Sequence, residues 1–465
     1  MSIVGLAASE VKESGERIRS AVEALGEEFP RKRVVVNLAP ADVRKDGTAL
    51  DLPIALGILA ADGRVPREAV GKVLAVGEVA LGGELRPVRG ALSLSLLAKA
   101  EGAHAGGAAR SRGGGRDVPG VEVIGADHLG EVVAWLRGEL ELPPEPTACR
   151  RAAPLEVDLE EVRGQEIARR ALEIAAAGAH HLLMVGPPGC GKSTPARRLP
   201  TILPPMTFTE ALAATRVHSA AGILDSDVLL ADRPFRSPHH SVTIAGLVGD
   251  HTLRPGEVSL AHNGVLFLDE APEFSRAAIE VLRQPLEDGV LTLSRARGTV
   301  TYPAAVTLVM AANPCPCGMR GVASCRCSDG DVARYMRRLS GPILDRIDLL
   351  LELQPVTAAD IVAAPTGETS ATVRERVISA RSRQILRGQT VPNGRLPPTA
   401  LDRAVTFTGA ARHALLQGAE RYRLSGRATA RVMRVARTIA DLEGNEAVDE
   451  AELLEALAFR VAGVV

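Results

Sequence analysis

Three apolar runs punctuate the middle of the chain: "HLLMVG" from His181, "GVLFLD" from Gly264 and "AVTLVMAAN" from Ala305. Each is short and stops at a glycine, an acid or an Asn-Pro pair, the pattern of a strand buried on both faces. Helical spacing precedes the first of them in "GQEIARRALEIAAAGA". Strands alternating with helices predict an α/β segment with a mainly parallel sheet from about residue 155 to 360. From Thr369 the pattern turns helical, in "ARHALLQGAERYRLSGRATARVMRVARTIADLEG". Gly444 and Asn445 mark a stop, and "DEAELLEALAFRV" opens a further helix with an acidic first turn.

The first 143 residues predict a separate α+β domain. "KRVVVNLAP" (32–40) reads as a strand ended by a proline, and "LDLPIALGILAADG" as a buried helix entered through Pro53. "KVLAVGEVALGGELRPV" reads as two short strands around Gly82 and Gly83. Residues 101–120, rich in Gly, Ala and Arg, predict a flexible loop. A proline-rich stretch over 144–154 predicts a linker, and 369–465 a helical C-terminal domain.

Composition narrows the function. Apolar residues make up 46% of the chain and aromatics only 2%. Cores must therefore rest on Leu, Val, Ile and Ala, and nucleic-acid binding by base stacking is disfavoured. The formal net charge is −1, so any nucleic-acid surface is local, such as a ring of loops. No apolar run reaches the length of a membrane span, and no charged-then-apolar leader opens the chain. Six cysteines without a secretory signal point to a reducing cytoplasm.

Gly186, Pro187, Pro188, Gly189, Cys190, Gly191, Lys192 and Ser193 fit G-x-x-x-x-G-K-[ST], with Thr194 behind them. Such a loop turns backbone N–H groups onto phosphate oxygens ahead of a helix N-terminus. Lys192 is expected to reach the β- and γ-phosphates and Ser193 to ligate Mg²⁺. Pro195 follows three residues after the lysine. A first-turn N–H has no intrahelical partner, so the proline is expected to be tolerated.

Asp269 and Glu270 end "GVLFLD". With a phosphate loop on a neighbouring strand, Asp269 suits the water shell of Mg²⁺ and Glu270 suits polarising an attacking water. Alone, two acids there are a solvated strand end. Asn313 ends the third run; it can hold that water or the γ-phosphate, or simply form a turn before Pro314. Cys315, Cys317, Cys325 and Cys327 form C-x-C, seven residues, then C-x-C. Four thiolates suit a tetrahedral Zn²⁺. Small buried residues, or thiols that pair under oxidation, are the alternatives.

"GPPGCGKS", "RPFRSPHHS", "RPGEVSLAHNGVLFLDEAPEF", "LRQPLEDGVLTLSRARGTVTYPA", "AANPCPCG", "GPILDRIDL" and "SGRATARVMRVARTIADLEG" stand in this order. Together they resemble the magnesium-chelatase-like AAA+ ATPases, most closely the YifB/ComM branch, over nearly the whole chain. The resemblance implies an α/β AAA+ P-loop NTPase core with a parallel sheet, a C-terminal helical lid and an N-terminal α+β Lon-protease-like domain. It implies ATP and Mg²⁺ as cofactors. By position, Arg346 in "LDRID" is implied to be an arginine finger acting on the neighbouring subunit. Arg427 in "SGRA" is implied to be a second sensor, and Gln165 in "VRGQ" to lie near the adenine. On the residues alone each arginine reads as a surface ion pair. A finger supplied in trans implies a homo-oligomeric ring, a hexamer.

The N-terminal domain departs from its proteolytic relatives. "KDGTALDLP" carries Thr48 but no serine, and "RGALSLSLLAKA" has no lysine at its start. The domain therefore reads as a scaffold or partner-binding module, unless Thr48 or Lys99 substitutes in a peptidase. The family has further strands before "IVGL", so the chain is expected to begin inside that domain.

The load remains open between three readings. Arg233, Arg236, His239 and His240 lie in "RPFRSPHHSVTIAG", and Arg295 and Arg297 at the tip of a β-hairpin in "DGVLTLSRARGTVTYP". In a ring both would project toward the pore and collar a DNA backbone, or else they only shape subunit contacts. The ComM resemblance implies ATP-driven branch migration during recombination. A chelatase-type motor that remodels a protein partner is the alternative, and chelatase motor subunits lack the Lon-like domain. A nucleotide-switched scaffold with slow hydrolysis is the third.

Overall fold

The computed structural model describes residues 1–5, 9–39, 47–88, 91–102, 104–108, 118, 120–144, 157–224, 229–295, 298–320, 325–339, 341–356 and 367–461. Most of the expected linker, the 109–117 part of the expected loop, Cys149 and Arg297 lie outside them. The chain divides into two compact units: 1–151 with 222–229, and 152–221 with 230–465.

In the first unit β1 (Ser2–Val4) pairs in parallel with β2 (Val35–Asn37). β3 (Val73–Val76) is followed by the short antiparallel pair β4 (Glu78–Val79) and β5 (Leu85–Arg86), the turn expected around Gly82 and Gly83. The helix Asp51–Ala61 starts two residues before Pro53 and buries Leu52, Leu56 and Leu59.

Five residues of the expected 101–120 loop form a strand instead. β6 (His104–Ala108) is the central strand of a parallel sheet in the order β3-β6-β7, with β7 at Val123–Ala126. Its sequence, HAGGA, has almost no β-propensity. A central strand is held through its backbone groups on both sides, so position in the sheet overrides composition.

The second unit carries a five-stranded sheet. β8 (Leu182–Val185), β9 (Phe235–Arg236), β10 (Val265–Leu268), β13 (Thr307–Ala312) and β14 (Leu349–Glu352) run in the order β14-β8-β13-β10-β9, every pair parallel. All residues of β8, β10 and β13 are buried. Side chains alternate across a strand, so each supplies two cores. Leu182, Met184, Phe267, Val309 and Leu351 enter one; Leu183, Val185, Leu266, Leu268, Met310 and Leu350 enter the other.

The first of these cores also contains Val432, Val435 and Ile439 of helix Gly426–Glu443 and Leu453 and Leu457 of helix Glu450–Val461. The C-terminal helices thus share the sheet's own core. Helix Gly426–Glu443 is capped by Ser425, whose side chain accepts from Ala428 N, and stops at Gly444 with φ +85°. Between β10 and β13, β11 (Val290–Arg295) and β12 (Gly298–Pro303) form the expected hairpin. Leu291 and Leu293 are buried on one face, and hydroxyl pairs Thr292–Thr301 and Ser294–Thr299 lie on the other at 3.0 Å.

Candidate functional site

A parallel sheet delivers ligands to the crevice beyond its strand C-termini. β8 there runs into the phosphate loop, whose Gly189 and Gly191 take φ +78° and +82°, values that suit glycine. Gly186 is needed for a different reason. A Cβ at that position would come within 2.7 Å of Cys190 Sγ and 2.8 Å of Leu353 O. Cys190 is buried beneath the loop, and burial pushes its thiol up.

Helix Ser193–Ile202 starts directly after the loop and runs unbroken through Pro195, which falls in its first turn as expected. Ser193 Oγ donates to Asp269 Oδ2 at 2.6 Å. Lys192 Nζ donates to the carbonyls of Gly186 (2.7 Å) and Pro187 (2.9 Å) and to Asn313 Oδ1 (3.1 Å). Burial lowers the Lys192 pKa. Gln165 is buried, and its Nε2 bonds Cys190 O (3.2 Å) and Gln354 O (2.8 Å), which ties the loop to the end of β14.

The acids do not sit on the strand next to the loop. β13 lies between β8 and β10, so Asn313 at its end stands between the loop and Asp269–Glu270. That interposed position is why Asn313 reaches Lys192. Glu270 has φ +51°, a left-handed conformation that residues other than glycine seldom take.

The expected DNA contacts separate into two sets. Arg233 is held inside the chain, by Glu210 (3.0 Å) and by the carbonyls of Pro204 and Asn263 (2.7 Å each). Arg236 forms a two-pronged pair with Glu257 at 2.6 and 2.7 Å. Both are folding contacts rather than free cations. The rings of His239 and His240 lie 4.0 Å apart between centres and are tilted by 35°, and Arg295 is exposed near the hairpin tip. His240 faces Glu270 rather than open solvent alone.

Arg346 is buried, paired with Glu287 and donating to Pro342 O at 2.8 Å. Arg427 is exposed on the first turn of helix Gly426–Glu443. A neighbouring arginine on that helix has a role that its sequence context did not mark. Arg431 Nη1 donates to Asp348 Oδ1 (2.9 Å) and to the backbone carbonyl of Arg346 itself (3.0 Å). Asp348 also accepts from His181 N at 3.1 Å, with His180 Nδ1 3.3 Å away. Burial opposes ionisation of Asp348, but His180 and Arg431 overcome it and hold the carboxyl well below its usual range. An acid directly before an apolar run, "RIDLLLE", is the signal that marks this residue.

Four cysteine sulfurs, of Cys315, Cys317, Cys325 and Cys327, lie within 4.8 Å of one another, just beyond Asn313. In the first unit Thr48 Oγ1 donates to Glu78 Oε2 at 2.5 Å, and Lys99 is exposed on the last turn of its helix.

A phosphate loop, an acid pair and a polar strand end converging on a parallel sheet define a P-loop nucleotide-hydrolase core. Residues 158–361 match the family described as magnesium chelatase, subunit ChlI; residues 1–105 match subunit ChlI of Mg-chelatase, and 367–460 its C-terminal region. The chain is 41% identical to the uncharacterized protein YifB of Escherichia coli, over 99% of this chain and 91% of that protein. It is 40% identical to the competence protein ComM of Haemophilus influenzae over the same shares. An uncharacterized protein of Mycobacterium tuberculosis is 41% identical over 99% of this chain and 93% of its own length. Lon protease 2 of Bacillus subtilis is 29% identical over 147 residues, which fits the N-terminal region. The chain belongs to the YifB/ComM-type branch of the magnesium-chelatase-like AAA+ proteins. Membership implies ATPase chemistry with ATP and Mg²⁺, and AAA+ proteins are generally oligomeric. Among the described residues no helix is long and apolar enough to cross a membrane.

Proposed function

We propose that this chain is a cytoplasmic AAA+ motor that assembles into a hexameric ring and uses ATP hydrolysis to drive branch migration or unwinding of DNA. The observation that carries the ATPase part is the convergence of Lys192, Ser193, Asp269 and Asn313 through hydrogen bonds of 2.6 to 3.1 Å. The DNA part leans on the His239–His240 loop, on Arg295 and on the similarity to the competence protein ComM of Haemophilus influenzae.

In this reading the backbone of residues 186–194 grips the phosphates and Lys192 moves its ammonium from loop carbonyls to the β- and γ-phosphates. Ser193 and Asp269, a hydroxyl and a carboxylate already paired, fit Mg²⁺, which would neutralise phosphate charge. Glu270 orients a water and takes its proton as the water oxygen bonds the γ-phosphorus and ADP departs. Asn313 holds the γ-phosphate or that water. Arg427 reaches the nucleotide from the lid, and Gln165 braces the loop on the adenine side. Arg346 completes the pocket of the next protomer. The four cysteines hold a structural Zn²⁺.

ATP turnover on the full chain with single-stranded, duplex and branched DNA tests the reading. Stimulation of several-fold by DNA, falling steeply with salt, is expected. Turnover indifferent to DNA, with no band shift at low salt, would transfer the motor to a protein load, the chelatase-type alternative.

A further inference from the structure

The segment that carries the first two thiols of the cysteine cluster touches the nucleotide loop. Gly318, next to Cys317, packs on Pro188 of the phosphate loop so closely that a Cβ there would sit 2.6 Å from Pro188 Cγ and Cδ. Gly318 takes φ +77°, and its N–H donates to Cys315 O at 2.9 Å, closing a tight turn between the first two thiols. Cys315 follows Asn313 by two residues, and Asn313 Oδ1 accepts from Lys192 Nζ. One short segment therefore supplies two thiols, an amide on the loop lysine and a backbone surface against the loop proline.

The thiols are arranged for a metal. Cys315 Sγ lies 3.4 Å from Cys317 Sγ and 3.9 Å from Cys325 Sγ, and Cys317 lies 3.7 Å from Cys325. A tetrahedral Zn²⁺ with bonds of about 2.3 Å places its sulfurs about 3.8 Å apart. Burial does not account for the cluster. Cys315 is buried, but Cys317 is exposed and Cys325 and Cys327 are half-buried, whereas cysteines used as small apolar filler are enclosed.

We propose that Cys315, Cys317, Cys325 and Cys327 bind one Zn²⁺, and that the metal clamps the 313–318 segment onto the phosphate loop so that its occupancy sets nucleotide affinity. The clamp rests on the ATPase reading above. Residues 313–318 belong to no helix or strand, so no regular hydrogen-bond ladder fixes their position. Four metal–sulfur bonds would fix both ends of the turn that meets Pro188. Without them, the turn and the Asn313 amide lose their common anchor, and the loop pays more ordering entropy on binding phosphate.

The full chain, purified without chelator, should carry one zinc per chain by native mass spectrometry. Replacement by Co²⁺ should give the visible spectrum of a tetrahedral tetrathiolate. Equilibrium binding of a fluorescent non-hydrolysable ATP analogue should weaken about tenfold after zinc is stripped, and recover when zinc is returned. Gly318→Ala keeps all four thiols and crowds the Pro188 contact; it should retain zinc but bind the analogue more weakly. A chain free of metal overturns the site. A zinc-loaded chain whose affinity is unmoved by stripping and by Gly318→Ala overturns the clamp while leaving the site. A zinc-loaded chain that binds no analogue at all removes the ATPase reading and the clamp with it.

Discussion

His240 Nδ1 lies 3.5 Å from Glu270 Oε2. The histidine belongs to the loop read from sequence as a DNA contact, and the glutamate is the proposed base. In the proposed mechanism that carboxylate must be open to a water, and the imidazole stands beside it. The glutamate's φ of +51° places it at the sharp turn that ends β10. DNA that draws His240 away would free Glu270. His240→Ala is expected to raise DNA-free turnover at least twofold and to shrink stimulation by DNA, as read by steady-state phosphate release. A fall in basal turnover would instead make His240 a support for Glu270.

Arg346 is spent on Glu287 within its own chain. To act on a neighbour as proposed it must leave that carboxylate, which would link assembly to activation. Arg346→Ala is expected to bind an ATP analogue normally and lose turnover by about 10³ or more. Mixing Arg346→Ala with Glu270→Gln protomers, each inactive, should restore part of the rate, because some seams then carry an intact base and an intact finger. Full activity of Arg346→Ala would end the trans-acting role.

Arg431 holds Asp348 and the Arg346 carbonyl at once, joining the last long helices to the strand that follows the proposed finger. Removing its guanidinium leaves the buried Asp348 carboxylate, among the described residues, with only His180 and the His181 N–H as partners. Arg431→Ala should destabilise the second unit by about 3–5 kcal/mol. Adding Asp348→Asn should recover part of the loss. Urea unfolding of the single and double variants checks both.

Acid should weaken the fold through buried histidines. Burial pulls His181 down to about 4, and His181 Nδ1 accepts from Leu308 N at 3.0 Å, so the native ring is neutral. Burial pulls His262 to about 4 as well, and its Nδ1 accepts from Ala305 N at 3.1 Å. Both depressed native values make the unfolded chain the better proton acceptor. The stabilisation is complete above the unfolded value near 6.5 and is lost as pH falls from there toward 4. At pH 5 each ring should cost about 2 kcal/mol. The urea midpoint is expected to drop between pH 7.5 and 5, with a smaller drop in His262→Gln.

The chain by itself determined the elements whose chemistry is local. Apolar runs bounded by breakers announced β8, β10 and β13, because a strand buried on both faces has few polar positions. The glycine loop and its acids were readable because phosphate gripping demands fixed residue types at fixed spacing. Tertiary structure alone decided the rest. HAGGA became a central strand through backbone bonds to β3 and β7, which no side-chain pattern records. β9 and β14 were missed because a two-residue edge strand and a short Leu run carry little periodic signal. Strand order placed β13 between the loop and the acids, which set Asn313 against Lys192. Arginines that look alike along the chain received different partners: Glu210, Glu257 and Glu287 took Arg233, Arg236 and Arg346. A charge's availability depends on which carboxylate the fold brings within about 3 Å, and that distance is not written in sequence order.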